Sequence, residues 1–239
     1  MSVKDQKNQA PVSSAAPGRA VDEFIEKARQ IASVTPTPGR GRLVFALDAT
    51  MSRQPTWDIA QCIQGEMFAQ TSALGGLDVQ LVYFRGFSEC RASKFVSGGQ
   101  GLGALMSKIS CRGGHTQLAK VLRHALGEAK SARLGALVFI GDAMEEHEDT
   151  LCALAGELGL LGVKAFMFHE GADARAEATF KEIARLTGGA YAQFDQRSPR
   201  RLAELLAAAA AYAVGGRLEL ERRAERGGGA ARLLLSQMG

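Results

Sequence analysis

This sequence predicts an α/β fold: a doubly wound, mostly parallel six-stranded sheet with helices on both faces, Rossmann-like in plan. Three observations carry that. The runs "LVFAL" (43–47), "VQLVYF" (79–84), "ALVFI" (136–140) and "VKAFMF" (163–168) are five or six residues long and apolar but for Gln80 and Lys164, much as strands buried on both faces are. Stretches with apolar residues at helical spacing separate them. The alternation makes βαβ units, whose right-handed crossovers place helices on either side of the sheet.

Taken in order, residues 1–20 hold Pro, Ser, Ala, Gln and a few charges, with no apolar run. They read as a disordered tail. "VDEFIEKARQIASV" (21–34) sets Val21, Phe24, Ile25, Ala28 and Ile31 on one helical stripe, and "TPTPGRGR" is a connector built of breakers, so 21–40 is a helix with its linker. The domain proper spans about 41–215. Besides the four strong runs, "AYAQF" (190–194) is a weaker strand and "CRASKFV" (90–96) a short one. Helices are expected near 56–74, 100–109, 116–130, 149–161, 174–187 and 199–214. Residues 216–239 contain a Gly-Gly-Gly break before "ARLLLSQM" and read as a C-terminal tail, fraying rather than docked.

Composition narrows the function classes. Of the net charge of +4, the first twenty residues carry three basic side chains against one acid, and 217–239 carry five arginines against three glutamates. The body between is neutral, which argues against nucleic-acid binding, because that needs basic charge on the folded part. The run "LLAAAAAYAV" (205–214) is far shorter than the roughly 20 residues of a membrane span. With no apolar N-terminal signal either, a cytoplasmic protein is expected. Cys62, Cys90, Cys111 and Cys152 are widely spaced without a CxxC pair, the pattern of reduced thiols rather than of zinc or disulfides.

Chemistry concentrates where strands end. Asp48 follows "LVFAL" and Asp142 follows "ALVFIG", and ligands of doubly wound sheets bind beyond such carboxyl ends. Thr50 and Ser52 alternate with Asp48 in "DATMS", and Thr116 follows paired glycines in "RGGHTQLAKVL". Singly, each suits a turn or a helix cap. Together they are hard oxygen donors of the kind Mg²⁺ or Mn²⁺ takes. Near them, Arg53 is either a solvated or locally paired arginine or a steering charge. The acids of "EEHED" (145–149) complement a helix dipole. "SGGQGLGALMSK" (97–108) lacks the features of a nucleotide loop and reads as a flexible connection into a helix.

"DATMS", "GGHT" and "FIGD", in that order, resemble the three-part metal-ion-dependent adhesion site of the von Willebrand factor type A (VWA) family. Asp48, Thr50 and Ser52 match its first motif, Thr116 its second and Asp142 its third, with Thr50 standing where the family has Ser. The resemblance implies a non-enzymatic protein-interaction module. Its hydroxyls touch the metal, its aspartates often act through water, and a partner's Asp or Glu fills the open position. It also suggests a last helix that shifts, for which the small residues of "PRRLAELLAAAAAYAV" leave room. The alternative is a Mg²⁺-dependent phosphatase similar to the haloacid dehalogenase type, with Asp48 as nucleophile and Asp142 and Glu146 on the metal. That reading puts Thr50 where most such enzymes need an acid and leaves Ser52 and "GGHT" without a role. A scaffold with a vestigial metal site is the third possibility.

Overall fold

The computed structural model describes residues 40–71, 74–195 and 197–239. The expected tail at 1–20 and helix at 21–34 lie outside the described residues. Strands β1 (Gly41–Asp48), β2 (Leu77–Arg85), β3 (Glu89–Val96), β4 (Ala136–Gly141), β5 (Lys164–Glu170) and β6 (Ala190–Phe194) form one sheet in the order β3-β2-β1-β4-β5-β6. Every pairing is parallel except that of β3, which folds back antiparallel on β2. The helices are α1 (Gln54–Thr71), α2 (Gly99–Met106), α3 (Leu118–Ser131), α4 (Glu148–Leu160), α5 (Ala174–Thr187), α6 (Pro199–Glu225) and α7 (Gly229–Leu235).

The apolar runs are explained by two cores, one on each face. Along β1, Leu43, Phe45 and Leu47 pack beneath α1, α2, α6 and α7, while Val44 and Ala46 pack beneath α3, α4 and α5. Side chains alternate across a strand, so a strand covered twice is apolar at most positions. A polar side chain that falls in its middle needs partners, as Gln80 of β2 does, donating to the Ser93 carbonyl and to Glu128. Local signals agree with this packing at α5, where Asp173 accepts the amide of Ala176 at 2.6 Å and Gly188 closes the helix at φ 60°.

Helix α6 lies unusually close to the sheet. A Cβ at Gly135 would stand 2.5 Å from the carbonyl oxygen of Ala213, and one at Gly41 2.7 Å from it. The small residues 207–211 and 213 are all buried along this contact.

The end of the chain corrects the expectation that it frays. At Gly216, where the sequence reading ended the domain, the backbone leaves helical geometry with φ 65°, and helix then resumes to Glu225. Leu220, Ala230, Ala231, Leu234 and Met238 are buried in the same core as Phe166 and Phe194. The Gly-Gly-Gly break is therefore a tight turn between two packed helices rather than the start of a loose end. Arg217 holds the carbonyls of Met238 and Gly239. The amide of Gln237 accepts from Tyr191 N–H at 2.9 Å and donates to its carbonyl at 2.8 Å, covering the outer side of β6, an edge strand, at that residue. No helix among the described residues is long and apolar enough to cross a membrane.

Candidate functional site

From β1 the chain winds outward through β2 to β3, and from the neighbouring β4 it winds the other way through β5 to β6; at this switch point a crevice opens beyond the strand ends. Asp48 ends β1 and Asp142 follows β4. The loop from 49 to 53 is tied to its neighbours by Ala49, whose amide donates to Phe84 O at 2.9 Å and whose carbonyl accepts from Arg112 N at 3.0 Å. The loop carrying Thr116 is in turn fixed on the hairpin after β2. His115 N donates to Gly86 O at 3.2 Å, and a Cβ on Gly114 would overlap that same carbonyl. Only glycine fits at 114, so the second of the paired glycines serves close loop packing, while a Cβ at Gly113 would meet nothing.

These anchors bring all five sequence-predicted residues, Asp48, Thr50, Ser52, Thr116 and Asp142, to one cleft of about 210 Å³, together with Met51, Gly113, Gly114, Ala143 and Glu145. Asp48 Oδ1 accepts the Thr50 amide at 2.7 Å. The Thr50 and Ser52 hydroxyls lie 3.3 Å apart, and Ser52 Oγ donates to Asp142 Oδ2 at 3.1 Å. Burial pushes the Asp48 carboxyl up to about 6; the hydrogen bonds from Thr50 oppose this, the nearby Asp142 charge adds to it and Arg53 offsets it.

Thr116 sits in the loop two residues before α3 rather than at the helix start. Its amide donates to Glu145 Oε2 at 3.0 Å and its hydroxyl accepts the Glu145 amide at 3.1 Å. The neighbouring Glu146 takes the amides of Leu118 and Ala119 at the start of α3. The acids of 145–149 thus do serve helix N-termini, but Glu146 caps a helix earlier in the chain, while Glu148 and Asp149 occupy the first turn of their own.

Two further residues stand behind the cleft: Glu170, not among the candidates named from the sequence, and His169, whose spacing suggests no ligand pair. Glu170 ends β5 and is almost fully buried, accepting from the Thr56 hydroxyl and pairing with Arg53 Nη1. His169, completely buried, meets Tyr191 OH at 2.9 Å and the Asp142 carbonyl at 3.3 Å. The signal was there: Glu170 ends an apolar run as Asp48 and Asp142 do. Arg53 is paired, as one of its expected roles had it, but buried rather than solvated.

A larger cavity of about 750 Å³ opens beyond β5 and β6, lined by Glu170, Gln193, Asp195 and Arg197 among others. It lacks converging hydroxyl donors, so size alone does not make it the better site. Among the described residues, no group of three or more His, Cys, Asp or Glu is placed to share a metal ion. Any cation in the smaller cleft would depend on the hydroxyls.

No family model matches the chain, and no curated protein matches it. Solved structures do. A von Willebrand factor type A protein from Catenulispora acidiphila superposes with a TM-score of 0.59 at 15% identity, over 72% of this chain and 43% of that one. The VWA domain of SpRpn10 gives 0.52 at 14% identity, over 68% of this chain and 95% of that domain. The pilus adhesin SpaC from Lactobacillus rhamnosus GG gives 0.53 at 12% identity, over 73% and 30%. The chain thus spans less than half of the first and third of these proteins and nearly all of the isolated domain. Strand order, helix placement and these likenesses agree that this chain has the fold of a von Willebrand factor type A domain.

Proposed function

We propose that this protein is a metal-dependent interaction module. Thr50, Ser52 and Thr116 would hold Mg²⁺ or Mn²⁺, with Asp48 and Asp142 beside it directly or through water. A partner's Asp or Glu would complete the coordination. The observation that carries this reading is the convergence of three hydroxyls and two carboxylates on one small cleft. Their spacing suits the ion: neighbouring ligands of octahedral Mg²⁺, bound at about 2.1 Å, stand about 3 Å apart, and Thr50–Ser52 and Ser52–Asp142 are separated by 3.3 and 3.1 Å.

When bound, the cation supplies a Lewis-acidic position for an incoming carboxylate. The chain's own residues do the rest. Neutral hydroxyls hold the ion without cancelling its charge, and the Thr50 amide orients the Asp48 carboxylate. Glu145, bonded to both the amide and the hydroxyl of Thr116, fixes that loop. Two well-exposed apolar side chains accompany the cleft, Met51 on its lining and Phe87 against the ring of His115. Apolar side chains set around a polar anchor are what a docking protein can cover. The adhesin among the similar folds supports an interaction role.

The phosphatase alternative is weakened, because Glu146, which it assigns to the metal, is engaged by the amides of α3. Capture of partners from the source cell's lysate, with Mg²⁺ or EDTA and with wild type or Thr116→Ala, tests the proposal. A partner retained only by wild type with Mg²⁺ is expected. Partners indifferent both to EDTA and to the substitution would refute it.

A further inference from the structure

We propose that Arg53, backed by Glu170, is a positioning residue that sets how tightly the cleft holds its cation; this rests on the metal-dependent reading above. Arg53 directly follows Ser52 and is 1% exposed. Its Nη1 pairs with Glu170 Oε2 and lies 3.9 Å from Asp142 Oδ2. That same Asp142 oxygen accepts the Ser52 hydroxyl. One carboxylate oxygen therefore faces a candidate metal-binding hydroxyl on one side and a permanent positive charge on the other.

Two features mark this arginine as a charge device rather than a structural clamp. A guanidinium kept for structure uses its fork of donors on planar acceptors. Here Nε and Nη2, both buried, have no hydrogen-bond partner among the described residues, while Nη1 is engaged by Glu170. Secondly, the counter-charge is held apart from the cleft. Glu170 ends β5, does not line the metal cleft, and is fixed by the Thr56 hydroxyl at the start of α1.

The consequence follows from Coulomb's law in a poorly solvated site. With Glu170 present, the guanidinium is drawn off Asp142, which stays free to attract a cation. Without Glu170, Arg53 would compete with the cation for Asp142. Without Arg53, the Glu170 charge would join the field of the cleft and hold the ion more firmly, leaving it less attractive to a partner's carboxylate. The pair keeps the ion bound but still electrophilic.

The test is Mn²⁺ binding to the full chain, followed by electron paramagnetic resonance of the free ion. Glu170→Gln is expected to weaken binding about tenfold and Arg53→Met to tighten it about tenfold, with Arg53→Lys close to wild type. The double variant Arg53→Met with Glu170→Gln, which removes both charges, should return to within about threefold of wild type. This variant also guards against misfolding of a single one, since it leaves no buried charge unpaired. Single variants that both weaken binding, with no recovery in the double, would show a structural role and overturn the inference while leaving the metal site standing. A wild type that binds no Mn²⁺ would remove both.

Discussion

Asp48→Asn is the perturbation that most directly probes the electrostatics of the cleft. The substitution is nearly isosteric and keeps an oxygen to accept the Thr50 amide, now bonded at 2.7 Å, but it removes the charge. Burial has pushed this carboxyl from 3.8 to about 6, a displacement of about two pH units. At roughly 1.4 kcal/mol per unit that amounts to about 3 kcal/mol. The sign is fixed by proton counting. Between those two values the folded chain binds the proton that the unfolded chain has released, so stability falls as pH rises through the window and stays reduced above it. In EDTA the Asn variant should therefore be more stable than wild type by about 3 kcal/mol near pH 7.5, and by only about 1 kcal/mol near pH 4.5. Urea unfolding at the two pH values measures both gaps. Mg²⁺ at about a hundred times its dissociation constant should return about 2.7 kcal/mol to wild type alone, nearly closing the gap at neutral pH. An Asn variant no more stable than wild type in EDTA, or a gap indifferent to pH, would refute the argument from burial.

Other expectations concern the frame around the site. Leu234→Ala, at a fully buried position of α7, should cost about 2–5 kcal/mol in urea unfolding; a change below about 0.5 kcal/mol would mean that the last helix is not part of the cooperative fold. Gly135→Ala places a methyl group 2.5 Å from the Ala213 carbonyl and should cost about 1–3 kcal/mol by overpacking, which a thermal melt would detect. Phe87→Ser, at an 81% exposed position, should leave Mn²⁺ affinity unchanged and weaken capture of a metal-dependent partner by about tenfold. Equal capture by the variant would take Phe87 out of the docking surface.

The sheet was legible because a strand buried on both faces leaves a mostly apolar run, unbroken in β1 and β4 and interrupted only by Gln80 and Lys164 in the runs of β2 and β5. β3 was harder: an antiparallel edge strand with several exposed side chains has less to distinguish it. The five candidate residues could be gathered before any coordinates because strand ends and loop hydroxyls are local features. Glu170 and His169 were not, since their relevance depends on β5 lying beside β4, a contact that residue spacing does not express. The C-terminal helices were misjudged for a related reason. A glycine run looks the same whether it frays or turns, and what decides is the apolar surface of α6 and β6 waiting to receive Leu234 and Met238. Arg53 shows the limit most plainly: an arginine beside a polar loop suggests solvent until its buried acid is known.

The Gln237 amide, bonded to both backbone groups of Tyr191, acts as a stopper on sheet growth. An outer strand with free amides and carbonyls is a template on which another chain can add a strand. Here one side chain, carried just after α7, occupies that template at Tyr191. Cleavage between α6 and α7 would therefore do more than thin the core: it would bare the edge of β6 at Tyr191 and leave it open to strand exchange or aggregation. Protection of this edge thus depends on residues after the glycine break, the part that residue pattern alone would have discarded first.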